Sequence, residues 1–153
     1  MKRKPPVVFT PEGLAKKLQE QVLLEKQREE AVRELNEARE LGDRSENGYY
    51  KAARWKLSGI DSRLRRLRDV IGRAQVQEHR NTGVVEIGAQ VELEIAGKTH
   101  HYRMVGPEES SIDEGKLSIF SPVGKAIANR KAGETCTAQT PGGALTVRIV
   151  SVE

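Results

Sequence analysis

The chain is poor in the residues that brace many small proteins. With one cysteine, Cys136, it forms no intramolecular disulfide and builds no cysteine-rich zinc site, which suits a reducing compartment. Aromatic residues make up 4% of the chain, and 37% hydrophobic content against 31% charged is too little for one large core in 153 residues. Part of the molecule is therefore expected to be elongated. No apolar run approaches the roughly 18 residues of a membrane span. The N-terminal MKRKPP is followed by no apolar stretch of the signal-peptide kind, so a soluble, cytoplasmic protein without membrane association is expected. The three histidines, His79, His100 and His101, lack metal-ligand spacing. Cys136 is expected in the core.

What is present divides into two patterns. From Thr10 to about Leu41 the chain reads as one helix, with Thr10 as N-cap, Pro11 at the first helical position and Glu12 in the first turn. Leu24, Ala31, Leu35 and Ala38 recur at seam spacing, and Leu14, Leu18 and Val22 form a slightly rotated stripe. A second helix, from about Ser45 to Gln77, carries Tyr50, Ala53, Leu57, Ile60, Leu64, Leu67, Ile71 and Ala74 in alternating steps of three and four. Stripes this narrow are buried against each other, or against a second chain in a parallel pair, against which the Gly42-Asp43 turn and the N-cap candidate Ser45 argue. With Gly42-Asp43 as a turn and Ser45 as the second N-cap, the pair predicts an antiparallel coiled-coil hairpin projecting on the order of 45 Å. Trp55, one step off the seam, is expected to pack on the hairpin's flank, with contact to a partner as the alternative.

After EHRNTG the period changes to two, in VVEIGAQVELEI, KTHHYRMV, GKLSIFS, TCTAQT and LTVRIVSV. Pro122 opens a short helix between the third and fourth of these. The sequence thus predicts an α+β protein: a coiled-coil finger over 1–77, a linker over 78–83 and a small α+β domain over 84–153.

Chemistry concentrates at the bend, where ARELGDRSENGYYKAAR places Asp43 and Glu46 three residues apart. Two such carboxylates can share a hard cation such as Mg²⁺ without completing its shell, so the remaining ligands come from another molecule. The plainer alternative makes Asp43 a turn residue and Glu46 a first-turn acid suited to the helix dipole. From Lys51 to Arg73 there are eight basic residues against Asp61 and Asp69. This stripe, with Arg65, Arg66 and Arg68 at its centre, either follows a nucleic-acid backbone or pairs with Glu25, Glu29, Glu30, Glu34 and Glu37 across the hairpin. Tyr50 is expected on the seam.

LGDRSEN followed by a Tyr and a basic helix resembles the tip of the bacterial Gre transcript-cleavage factors, and its GDRSEN form is nearer to GreB than to GreA. GAQVELE, YRMVGPEE, LSIFSPVGKA and TPGG follow in the order of that family's C-terminal domain, so the resemblance runs from Phe9 onward. It implies a finger entering the secondary channel of RNA polymerase and a C-terminal domain of FKBP-like fold that binds the polymerase. It further implies that Asp43 and Glu46 help hold a Mg²⁺ shared with the polymerase, whose own site then cuts the 3′ end of a backtracked nascent RNA. The factor is a cofactor of that cleavage, not an enzyme, and is expected to be a monomer. By the same resemblance Arg39, Asn47, Tyr50 and Arg54 lie around the RNA 3′ end, and Ser121 and Pro122 dock on the polymerase rim. Gly48-Tyr49 and Phe120 depart from the familiar pattern. Competing readings are a secondary-channel regulator that promotes no cleavage, and a coiled-coil nucleic-acid adaptor whose tip is only a turn.

Overall fold

The computed structural model describes residues 4–42 and 47–153. Asp43 and Glu46 lie outside the described residues, as does Ser45. The element order is β1 (Val7–Phe9), α1 (Pro11–Glu40), α2 (Gly48–Gly72), β2 (Ala74–Val76), β3 (Gln90–Ile95), β4 (Lys98–Val105), β5 (Lys116–Ser118), α3 (Pro122–Ile127), β6 (Thr135–Thr140) and β7 (Gly143–Val152). Two compact units result, residues 15–73 and residues 1–14 with 74–153.

The first unit is the helical hairpin. Leu24, Ala31, Ile60, Leu64 and Leu67 form one buried cluster, and Leu35, Ala38 and Ala53 another, with Tyr50 and Leu57 packed against the latter. The seam expected from the heptad steps packs as far as Ile71, whereas Ala74, expected on it, lies in strand β2 instead. The rotated stripe does not pack: Leu18 and Val22 are exposed. Ion pairs join the helices from Arg28 to Asp61 at 2.6 Å, Lys56 to Glu34 at 2.7 Å and Arg68 to Glu25 at 2.9 Å. Position numbers rise along α1 as they fall along α2, the register of an antiparallel pair. All three are largely solvated, so each adds little to stability.

The ends of α2 differ from the sequence reading. Asn47 and not Ser45 is the N-cap, its Oδ1 accepting from Tyr49 N at 3.0 Å and Tyr50 N at 3.3 Å. Its Nδ2 donates to the Ala38 carbonyl at 3.2 Å, tying the start of α2 to the end of α1. At the other end the helix stops at Gly72 rather than near Gln77, because Ala74–Val76 leaves as a strand and pairs in parallel with Val7–Phe9.

The second unit is a five-stranded sheet in the order β5-β4-β3-β7-β6, antiparallel except for the β4–β5 pair. Its core includes Val91, Leu93, Met104, Leu117, Ile127, Val147 and Ile149. Cys136 is buried there, as expected, and burial pushes its thiol pKa up. The first turn of α1 belongs to this unit. Thr10 caps it, accepting from Gly13 N at 3.1 Å, and Glu12 meets Arg103 at 3.0 Å. The Glu12 carboxyl titrates below the usual range, first through its backbone hydrogen bond and then through Arg103.

Candidate functional site

The hairpin narrows to Asn47, whose side chain is fully engaged as cap and cross-link. Next to it Tyr50 turns inward onto the second cluster while Tyr49 is exposed. A groove of about 280 Å³ opens beside Tyr50, with Leu35 and Leu57 in its lining and Arg39, Arg54 and Arg65 around it. Heptad spacing explains the convergence: Tyr50 and Leu57 hold the seam, and Arg54 and Arg65 stand along its margin. Asp61, which also lines the groove, is held by Arg28.

The guanidiniums of the groove are weakly committed. Arg39 makes one long hydrogen bond, to Asn36 Oδ1 at 3.4 Å, and Arg65 bonds Ser62 Oγ at 3.2 Å. Arg54 has no ion pair or hydrogen bond among the described residues. Clustered cations that no carboxylate pairs with among the described residues, beside a partly open aromatic ring, form a surface suited to phosphate and bases.

Arg65, Arg66 and Arg68 do not act as one set. Arg65 lines the groove. Arg66 is exposed and has no ion pair among the described residues. Arg68 is taken by Glu25, as the cross-hairpin alternative has it. Gln21 and then Arg68 hold the Glu25 carboxyl below its ordinary pKa, and Glu34 raises that of Lys56.

Among the described residues no three His, Cys, Asp or Glu side chains gather where they could hold a metal ion. Asp43 and Glu46, the pair expected from the sequence to share a Mg²⁺, lie outside the described residues.

In the second unit Ser121 has a structural task that the sequence reading missed. It is the N-cap of α3: its Oγ accepts from Gly124 N at 3.0 Å and donates to the Ser118 carbonyl at 2.6 Å, with Pro122 at the first helical position. Pro122 itself is exposed. So is Phe120, at 54%. Phe120 borders a largely apolar hollow of about 420 Å³ lined also by Val8, Ile87, Ile119 and Ala128, with Lys125 at its edge. Helix-opening Ser-Pro was a legible signal for the cap. The hollow was not legible, because Val8 and Ile119 are far apart in sequence.

Comparison with known proteins covers both units. Residues 7–76 match the family described as "Transcription elongation factor, N-terminal", and residues 80–153 the family described as "Transcription elongation factor, GreA/GreB, C-term". A Transcription elongation factor GreA from Thermomicrobium roseum is 36% identical over 151 residues, covering 96% of this chain and 97% of its own. Transcription elongation factor GreA 1 from Lactiplantibacillus plantarum is 35% identical over 132 residues, with 85% of each chain covered. Both bear the GreA name, and neither the GreB name that the GDRSEN form led one to expect. Among solved structures, that titled "Structure of the transcription factor Gfh1" is 28% identical over 100% of this chain and 99% of its own, with a TM-score of 0.49. No helix among the described residues is long and apolar enough to cross a membrane.

Proposed function

Because the chain belongs to the GreA/GreB family of transcription elongation factors, we propose that it binds RNA polymerase through its C-terminal unit and inserts its hairpin tip into the secondary channel. There it stimulates endonucleolytic cleavage at the 3′ end of a backtracked transcript. On this reading it is a cytoplasmic monomer with no activity on RNA alone. The observation that supports the proposal is the basic groove of Arg39, Arg54 and Arg65 beside Tyr50, whose guanidiniums make no ion pair among the described residues, on the hairpin whose two helices are joined in sequence by the segment containing Asp43 and Glu46.

Asp43 and Glu46 are the residues that would hold a Mg²⁺ shared with the polymerase. The ion supplies a lowered pKa for the attacking water and countercharge for the transferring phosphate. Around it the chain's own groups bind and orient. Arg39 and Arg54 attract the phosphates of the extruded strand, Tyr50 offers a ring edge to its bases, and Asn47 ties the start of α2 to the end of α1. Stalled, backtracked elongation complexes test this. Wild-type protein should release short 3′ fragments, and Asp43→Asn or Glu46→Gln should abolish the release while polymerase binding is kept. Cleavage by both variants at the wild-type rate rejects the shared-ion mechanism.

A further inference from the structure

Trp55 is the chain's one tryptophan, and it is 81% exposed. Two residues beyond Ala53 on a helix that turns about 100° per residue, it points away from the seam, on the back of α2 and away from the packed partner helix. It has no ring or cation contact among the described residues. A tryptophan left this open forgoes the burial that usually accounts for its presence.

Its surroundings are specific. One helical turn away on either side stand Lys51, Ala52, Ser58 and Gly59. Gly59 lies inside α2, where glycine costs about 1 kcal/mol relative to alanine. Nothing in the chain requires it, since an added Cβ would meet no atom within 4 Å. The glycine leaves a notch beside the indole that a flat ring can enter. Farther along the same face is Arg66. Lys51 and Arg66 are exposed and make no ion pair or hydrogen bond among the described residues. From Gly48 to Ile60 helix α2 carries no acid at all, and beyond it Asp61 is held by Arg28 and Asp69 by Arg73. An open indole over a notch, between free cations and without a carboxylate, has the chemistry of a single-strand stacking platform. An apolar protein surface would gain little from the cations.

We propose that Trp55 stacks on a base of single-stranded RNA, with Lys51, one helical turn away, holding an adjacent phosphate and Arg66, about three turns farther along the same face, a phosphate farther down the strand, on the face of the hairpin opposite its seam. The site is distinct from the groove of Arg39, Arg54 and Arg65, and gives the strand a second hold on the finger. It rests on the reading that the hairpin works beside RNA, but its test needs no polymerase.

Trp55 is the only source of tryptophan emission, so its fluorescence reports directly on the site. Titrating the full chain with a single-stranded oligoribonucleotide at low salt should quench that emission to saturation, and the midpoint should shift to higher RNA as salt is raised. Inorganic polyphosphate, which has the charge and no bases, should leave the emission nearly unchanged. With labelled RNA followed by anisotropy, Trp55→Ala should bind roughly tenfold more weakly and Trp55→Phe should recover most of the loss. Helix content by circular dichroism should stay the same in both. Absence of RNA binding, binding without quenching, or equal affinity of Trp55→Ala and wild type overturns the inference. So does a loss of polymerase affinity in Trp55→Ala with RNA affinity intact, which makes the face a protein contact. A failure of the cleavage assay with the carboxylate variants unchanged would sink the proposed function and leave this result standing.

Discussion

Thr10 and Glu109, 99 positions apart, meet through two hydrogen bonds: the Thr10 hydroxyl donates to Glu109 Oε1 at 2.5 Å and its backbone N–H to Oε2 at 2.8 Å. The same threonine oxygen accepts from Gly13 N, so one residue caps α1 and fastens its first turn to the β-rich unit. A Cβ on Gly13 would lie 1.8 Å from Glu109 Oε1.

Gly13→Ala should therefore reverse the usual rule. Inside a helix the change to alanine ordinarily stabilises by about 1 kcal/mol. Here Glu109 must swing aside and give up both bonds, so a net loss of about 1–3 kcal/mol is expected. Urea unfolding measures it, and combining Gly13→Ala with Glu109→Ala should cost less than the sum of the two single changes. A Gly13→Ala protein more stable than wild type refutes the clamp.

Docking and folding separate at α3. Ser121→Ala removes a cap and should lower stability by about 1 kcal/mol, whereas Phe120→Ala, at an exposed position, should leave the melt within about 0.5 kcal/mol of wild type. If the hollow beside Phe120 receives a polymerase side chain, Phe120→Ala should weaken competition for polymerase, and excess factor should restore cleavage. A Phe120→Ala protein that competes normally places docking elsewhere.

Acid should loosen the hairpin in a way traceable to Glu25. Its pKa is lowered on folding, first by Gln21 and then by Arg68, so the stability it contributes is present above the ordinary carboxylate value of 4.5 and is lost as pH falls through and below it. The group is solvated, and the effect should be small and shrink in high salt. Melts of wild type and Glu25→Gln at neutral and acid pH check the sign. The gap between them should narrow in acid, and a gap that widens contradicts it.

The sequence made the hairpin readable because a seam spacing recurs along α2 and from Leu24 onward in α1, and Thr10 is the cap its Thr-Pro-Glu start foretold. Three residues of VVF carried no comparable period, and their parallel partner at Ala74–Val76 lies across both helices, so β1 and β2 were hidden. The cap of α2 is Asn47, whose amide also reaches the Ala38 carbonyl, a cross-link that no local spacing announces. Trp55 was placed on the flank as one step off the seam, but two steps from Ala53 is a turn of roughly 200°, which sends it outward. The site was legible in part. Arg39, Tyr50 and Arg54 converge with Arg65 on one groove, whereas Arg66 and Arg68 point to different surroundings, which a one-dimensional count of charges does not resolve.

That divergence sharpens what the basic helix is expected to do. Arg65 lines the groove with Arg54, farther from the bend, while Arg68 neutralises Glu25 across the hairpin. If extruded RNA follows the groove, a transcript backtracked by few nucleotides ends near Arg39 and Arg54, and only a longer one reaches Arg65. Arg65→Glu should then reduce cleavage of long extruded ends several-fold, most strongly at low salt, and affect short ones less. Arg54→Glu should reduce both. Arg68→Gln should change neither, although it removes a solvated ion pair and so lowers stability slightly. Leu64 and Leu67 keep the seam in each variant, so helix content by circular dichroism should hold. Matched complexes backtracked by different distances give the comparison. Equal loss on long and short ends with Arg65→Glu, or a larger loss with Arg68→Gln than with Arg65→Glu, means the strand takes another route along the hairpin.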